Sequence, residues 1–305
     1  MRELALAGPG YISKRFLEGS KYLKDAKVSV IVSRHPENIR EYAASFEIEK
    51  VLNYDEFLQD ETICCVYVCT PTPSHFEVVR NCLLNGKNVL CEKPLCLSPA
   101  QEEELFALAQ KNGLLLMEAY KALFVPPYQK FRELLQKNAI GKIHYVTASF
   151  CRTSDISRLP ESFGRDYVYD LGCYPVSYLL SLFPAEIRTV HHHEESINGN
   201  VLSSLISIVN SDGLIMEARS SLNYTDEGIT IYGENGKICC PQFWRGREIR
   251  LQTENSTETF RFAYESEFTF EAQHFIDLIS AKKTESDLSS PELSLLTARV
   301  LSSDI

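Results

Sequence analysis

The first third of the chain alternates short apolar runs with helical stretches, and no other feature limits the possible folds so sharply. Residues 4–7, 28–32, 64–69 and 88–91 are brief apolar runs bounded by glycine, proline or polar residues, so they read as buried strands. Between them, residues 12–19, 37–46 and 75–85 have helical composition or spacing, with Pro36 near the start of the second. A further helix is expected over 99–112, capped by Ser98 and stopped by Gly113, before a strand at 114–117. This is the β-α-β rhythm of a doubly wound parallel sheet, so an α/β Rossmann domain is expected over residues 1–119.

After Tyr120 the grammar changes. A helix at 127–137 leads into a half-buried strand at 143–150, and strands at 201–210, 214–221, 229–232 and 237–239 follow. Turn signals such as Ser211-Asp212-Gly213 and Glu234-Asn235-Gly236 join them, which describes an antiparallel sheet. Helices are expected at 178–183, 270–281 and 291–303. Residues 120–305 are therefore read as an α+β domain with a large, mostly antiparallel open sheet.

A length of 305 residues suits two domains, each able to bury its own core. The formal net charge of -10 argues against nucleic-acid or anionic-membrane partners. No apolar stretch approaches the roughly 20 residues of a membrane span, and the chain opens on a strand-like run, so a cytoplasmic location is expected. The 10 cysteines include no C-x-x-C pair and sit mainly in expected strands and helices, which reads as reduced core thiols. No metal site is expected: Cys64-Cys65 and Cys239-Cys240 lack zinc-ligand spacing, and the adjacent His191, His192 and His193 cannot all face one ion.

The chemistry begins at Gly8-Pro9-Gly10-Tyr11-Ile12-Ser13, directly after the first strand and opening a helix. Gly8 permits the tight turn, Gly10 lets the backbone approach a pyrophosphate, and the helix amino end supplies N–H donors. Ser13 takes the third position, where a small residue still lets helix and strand pack. The second strand ends in Ser33-Arg34-His35, with no carboxylate to bind the ribose 2′-hydroxyl of NAD. A guanidinium and a hydroxyl suit a 2′-phosphate, so NADP is the expected cofactor, with NAD still possible. Lys93 stands in Glu92-Lys93-Pro94, where the apolar run 88–91 stops. Alone, a turn lysine reads as solvated. At the carboxyl end of a buried parallel strand, however, it can hydrogen-bond a substrate hydroxyl.

On these motifs the chain resembles the Gfo/Idh/MocA oxidoreductase family over nearly its whole length. Gly8 to Ile12 looks like the family's first loop, and Thr70-Pro71-Thr72-Pro73-Ser74-His75 like its T-P-N-x-x-H segment. Residues 86–94 are similar to its G-K-x-V-L-x-E-K-P signature, and Met117-Glu118-Ala119 to the strand that follows. The resemblance implies that Lys93 contacts nicotinamide ribose and substrate hydroxyl, that Glu92 sits beside the cofactor, and that Thr70, Pro71 and His75 belong to the nucleotide-binding turn. His75 could equally satisfy local backbone. Thr72 replaces the usual asparagine, and Lys121-Ala122-Leu123-Phe124 lacks an arginine that similar chains carry.

Tyr169-Asp170-Leu171-Gly172-Cys173-Tyr174-Pro175 is similar to the family's D-x-G-x-H/Y segment. If Asp170 and Tyr174 lie on the first turn of a helix running toward Phe183, their i, i+4 spacing puts both on one face. Tyrosine in the last position resembles the dimeric dihydrodiol dehydrogenase and glucose-fructose oxidoreductase branch, which implies that Tyr174 is the acid/base and that Asp170 orients it or the substrate. Arg165-Asp166-Tyr167-Val168 replaces a glycine-rich stretch and is expected to add bulk and charge to the pocket. Trp244 could line a pocket or an interface. The reading is an NADP-dependent dehydrogenase acting through Lys93, Asp170 and Tyr174 on a sugar, polyol or cyclic diol. It is expected to form a homodimer or higher homo-oligomer through the open sheet. The alternatives are a redox-cycled lyase or glycosidase with tightly held NAD, and a catalytically silent nucleotide-binding regulator.

Overall fold

The computed structural model describes residues 2–161 and 163–303. The chain divides into two compact units, residues 1–121 with 265–295, and residues 122–264 with 296–305. The expected division placed everything after residue 119 in the second domain; the segment 265–295 instead packs with the first unit.

The first unit is built from β1 (Arg2–Ala7), α1 (Tyr11–Ser20), β2 (Ala26–Val32), α2 (Arg40–Ala44), β3 (Lys50–Leu52), α3 (Tyr54–Gln59), β4 (Cys65–Val68), α4 (His75–Leu84), β5 (Asn88–Glu92), α5 (Pro99–Asn112) and β6 (Leu116–Ala119). Its six strands are parallel, in the order β3-β2-β1-β4-β5-β6, the doubly wound Rossmann arrangement. β4 and β5 lie inside the sheet and Val66, Val68, Val89 and Cys91 are fully buried, so these strands read as continuous apolar runs. α5 starts with Pro99 behind Ser98 and stops at Gly113 in the left-handed region, φ +64°. α3 and β3 escaped the sequence reading, although Asn53 and Glu56 form a reciprocal capping box, each side chain bonding the other's backbone N–H at 2.9 Å.

The second unit contains α6 (Pro126–Gln136), β7 (Ile143–Cys151), α7 (Asp166–Leu182), β8 (Ile187–Ile197), β9 (Asn200–Asn210), β10 (Ile215–Ser221), β11 (Asp226–Gly233), β12 (Gly236–Pro241), β13 (Glu248–Thr253) and β14 (Thr257–Arg261). They form an eight-stranded sheet in the order β14-β13-β12-β11-β7-β10-β9-β8, antiparallel except for the β7–β10 pair. α7 packs on β7, β9 and β10, where Val146, Ala148, Ile206, Ile208, Met216 and Ala218 are buried. α8 (Phe268–Ser280) returns to the first unit, and α9 (Pro291–Ser302) carries the boundary between the two. Phe16 of α1 stacks on Tyr67 with ring centroids 3.6 Å apart and meets Phe268 of α8 edge-on at 6.2 Å. Thr269 Oγ1 donates to Gly19 O at 2.8 Å. Arg15 pairs with Glu267.

Candidate active site

The glycine loop follows from steric necessity. Gly8 has φ +101°, and a Cβ there would lie 2.6 Å from Thr70 N, so only glycine lets the β1 loop press against the end of β4. At Gly10 a Cβ would meet nothing within 4 Å, so the bare backbone faces open space. Gly10 N–H donates to Ser13 Oγ at 2.6 Å, and that hydroxyl donates back to Gly10 O at 2.8 Å. Its single hydrogen is thereby used, so Tyr42 donates in the 2.7 Å contact between the two hydroxyls. Ser13 therefore closes the loop as well as allowing close packing. The next N–H groups, of Tyr11 and Ile12, lie in the first turn of α1, where no intrahelical acceptor exists.

A groove of about 600 Å³ opens beside this loop, lined by Gly8, Ser33, Arg34, Thr70 and Pro71 among others. Ser33 is nearly buried and accepts His35 N–H at 3.1 Å, while Arg34 is exposed. Tyr54 of α3 and Asn38 form further wall. Thr70 Oγ1 is buried and without a protein partner. A bare glycine backbone, a helix amino end, an unpartnered hydroxyl and a cation at the end of β2 fit a dinucleotide with its phosphates on the loop.

At the carboxyl end of β5, Glu92 accepts a hydrogen bond from Tyr67 OH at 2.6 Å. Lys93 follows, 9% exposed, and the Lys93–Pro94 peptide is cis. His75 is buried with Nδ1 2.9 Å from Pro94 O and Nε2 2.7 Å from Thr70 O. It therefore ties the two loops together through backbone, the second of the two readings of this residue. Burial pushes its imidazole pKa down, against the two carbonyls and the Glu92 charge. Lys121 is also buried, with Nζ 5.0 Å from the Phe268 ring centroid. Near it Glu271 is fully buried and neither carboxyl oxygen has a hydrogen-bond partner. Desolvation pushes the Glu271 pKa well up, Glu92 adds to that, and Lys121 opposes it.

In the second unit Asp170 and Tyr174 lie one turn apart on α7. The helix starts at Asp166, earlier than expected, so both residues fall beyond its first turn. The Tyr174 ring centroid lies 4.4 Å from Phe150 and 6.2 Å from Trp244. Arg152 sits over both Phe150 and Trp244, 4.9 and 5.0 Å from the centroids, and its Nε donates to Glu227 Oε1 at 2.7 Å. Trp244 Nε1 donates to Glu227 Oε2 at 3.2 Å. Trp244 is thus part of the wall around Tyr174. Phe150, Arg152 and Glu227 escaped the sequence reading; only the strand alternation that buries Phe150 could have signalled one of them.

Arg165 does not add its bulk as expected. It turns onto β8 and the end of α9, pairing with Glu194 at 2.6 Å, donating to Leu301 O at 3.1 Å and approaching His192 Nδ1 at 3.3 Å. The histidine run forms part of the edge strand β8, and among the described residues no group of three or more His, Cys, Asp or Glu side chains could hold a metal ion.

Fold and groove together define a dinucleotide-binding oxidoreductase of the Rossmann type. The chain belongs to the Gfo/Idh/MocA family: residues 2–120 match its oxidoreductase domain with NAD-binding Rossmann fold, and residues 128–239 match its C-terminal domain. It is a nicotinamide-dependent oxidoreductase. A trans-1,2-dihydrobenzene-1,2-diol dehydrogenase of Xenopus laevis is 30% identical over 288 residues, covering 88% of this chain and 86% of that protein. The scyllo-inositol 2-dehydrogenase (NADP(+)) IolU of Bacillus subtilis is 27% identical, covering 99% and 95%. The fold is that of KijD10, a 3-ketoreductase from Actinomadura kijaniata solved with NADP and TDP-benzene, at a TM-score of 0.85 and 22% identity over 99% of this chain and 96% of that one.

Proposed function

We propose that this protein is an NADP-preferring dehydrogenase or reductase acting on a hydroxyl- or carbonyl-bearing carbon of a sugar, polyol or cyclic diol. The observation that carries the reading is the placement, within one Rossmann unit, of a nucleotide groove with Arg34 and no carboxylate at the end of β2, and of a nearly buried lysine ending β5. Relatives named for a dihydrobenzenediol and for scyllo-inositol support a ring with vicinal hydroxyls as substrate.

Gly8, Gly10 and the first-turn N–H groups of Tyr11 and Ile12 would hold the pyrophosphate, Ser33 and Arg34 the 2′-phosphate, and Thr70 and Pro71 the wall beyond it. Bound there, nicotinamide supplies or accepts the hydride. Glu92, fixed by Tyr67, borders the cofactor. Lys93 holds the substrate oxygen through Nζ, Tyr174 gives or takes the proton at its phenol oxygen, and Asp170 orients Tyr174 or the substrate. The aromatic wall of Phe150 and Trp244 keeps water from that phenol.

The test follows reduced nicotinamide by absorbance with NADP and a panel of trans-diols, inositols and aldoses, for the parent and Lys93→Met. Parental turnover and its loss in the variant, with NADPH binding retained, are expected. Undiminished turnover by Lys93→Met would remove Lys93 from the mechanism. Product formed without net NADP reduction would favour the redox-cycled route.

The reading extends to assembly and location. The sheet face opposite α7 carries Tyr145, Thr147, Glu217 and Arg219 half-buried and Tyr232 41% exposed, and supports a homodimer through that face. A monomer in sedimentation would sink it. Ten free thiols suit the cytoplasm, and among the described residues no helix is long and apolar enough to cross a membrane.

A further inference from the structure

The three residues after Lys93 are each gripped by a buried polar side chain from a different element. Pro94 O faces His75 Nδ1 at 2.9 Å, from the start of α4. Leu95 N–H donates to Glu118 Oε1 at 2.9 Å, from β6. Cys96 N–H donates to Glu102 Oε1 at 3.2 Å, from α5. His75, Glu102 and Glu118 are 1%, 2% and 1% exposed. Glu118 is tied in turn through its own backbone, whose carbonyl accepts from Ser289 Oγ at 2.7 Å. The remaining Oε2 atoms of Glu102 and Glu118 are buried without a partner.

Two adjoining buried carboxyls cannot both ionise cheaply, so the pair tends to keep one proton. Desolvation raises both, and the Glu118 charge raises Glu102 further. Glu118 has the more help in ionising: the Leu95 N–H and the Lys93 charge both favour its carboxylate. Glu102 has only the Cys96 N–H. The other titratable groups facing the pair are the Cys91 and Cys96 thiols, both pushed up by burial and therefore neutral.

We propose that Glu118 is a positioning residue for Lys93, fixing the turn after it through Leu95 N–H and holding buried negative charge toward its ammonium. The catalytic weight of this arrangement rests on the reading above that Lys93 meets the substrate. The electrostatic coupling itself does not, because it exists in the protein without substrate.

The experiment therefore reads Lys93 directly. The full-length protein is reductively methylated with ¹³C-formaldehyde, and the dimethyl-lysine signal lost in Lys93→Arg is followed against pH in the parent and in Glu118→Gln. The glutamine keeps an acceptor for Leu95 N–H and removes the charge. The Lys93 signal should titrate lower in Glu118→Gln by about one pH unit, the size expected for loss of a close opposite charge. An unchanged titration overturns the proposal. Glu118→Ala, which loses acceptor and charge, should cut kcat by about 100-fold with NADPH affinity nearly unchanged, as expected for a misplaced group. Parental kcat in a folded, NADPH-binding Glu118→Ala also overturns it. A parent without turnover would defeat the assigned activity and leave the titration result standing.

Discussion

Replacing Arg34 with aspartate tests the cofactor assignment without disturbing the core, because Arg34 is exposed at the groove rim. Substitutions of this kind usually change stability by within about 0.5 kcal/mol, so the melting curve should barely move. A charge-assisted hydrogen bond to the 2′-phosphate contributes about 1.5–3 kcal/mol. The new carboxylate adds like-charge repulsion of about 1 kcal/mol at water-like dielectric and 4 Å. The sum, about 2.5–4 kcal/mol, corresponds to roughly 70- to 1000-fold weaker NADPH binding. NADH lacks the phosphate, so its affinity should stay within a few-fold or improve through the ribose hydroxyl. Nicotinamide fluorescence titrations with both cofactors read the difference. Equal losses for NADPH and NADH would refute the argument that the end of β2 selects the phosphate.

Tyr174→Phe keeps the ring that packs on Phe150 and removes only the phenol oxygen, so turnover should fall by about 10²- to 10⁴-fold with the melting temperature preserved; turnover near the parental rate would dismiss Tyr174 as the proton carrier. Gly8→Ala forces a Cβ to within 2.6 Å of Thr70 N at a positive φ, so NADPH binding should be lost or the protein destabilised by about 1–3 kcal/mol, read by titration and urea unfolding. Glu271→Gln tests the buried carboxyl near Lys121. Its pKa is raised in the fold, so it favours folding fully below the unfolded pKa of about 4.3, and that contribution is lost as pH rises through the folded value. Glutamine escapes the loss, so the variant should melt above the parent near neutral pH by up to about 2–4 °C per kcal/mol recovered, with the gap closing in acid. A variant melting below the parent near neutrality would mean that Glu271 is ionised and held by Lys121.

The place of Lys93 at the end of β5 was legible because its signal is local: an apolar run, a charged residue and a proline define a strand end, whatever surrounds it. The glycine loop was legible for the same reason. For His75 two readings stayed open, because its contacts are to Pro94 O and Thr70 O, carbonyls that no side-chain pattern reports. β13 and β14 were missed because Ile249 and Leu251 in one and Phe260 in the other are their only apolar residues, an alternation too short to stand out among polar neighbours. The wall around Tyr174 joins β7, α7 and the turn bearing Trp244, far apart in sequence and assembled only by the sheet. The helix at 268–280 was expected, but its amphipathic pattern says that one face is buried and not which sheet it covers.

The Rossmann unit is discontinuous, closed by residues 265–295, and this gives its biosynthesis an order. When residue 121 leaves the ribosome, Phe16 lacks Phe268, Gly19 O lacks Thr269 and Glu118 O lacks Ser289. At roughly 5–20 residues per second, synthesis of the intervening stretch takes about 7–30 s, during which the outer face of α1 is a sticky surface open to chaperones. Residues 1–121 of the cofactor unit leave the ribosome before the second unit, yet their own unit is completed only after most of that second unit has been made.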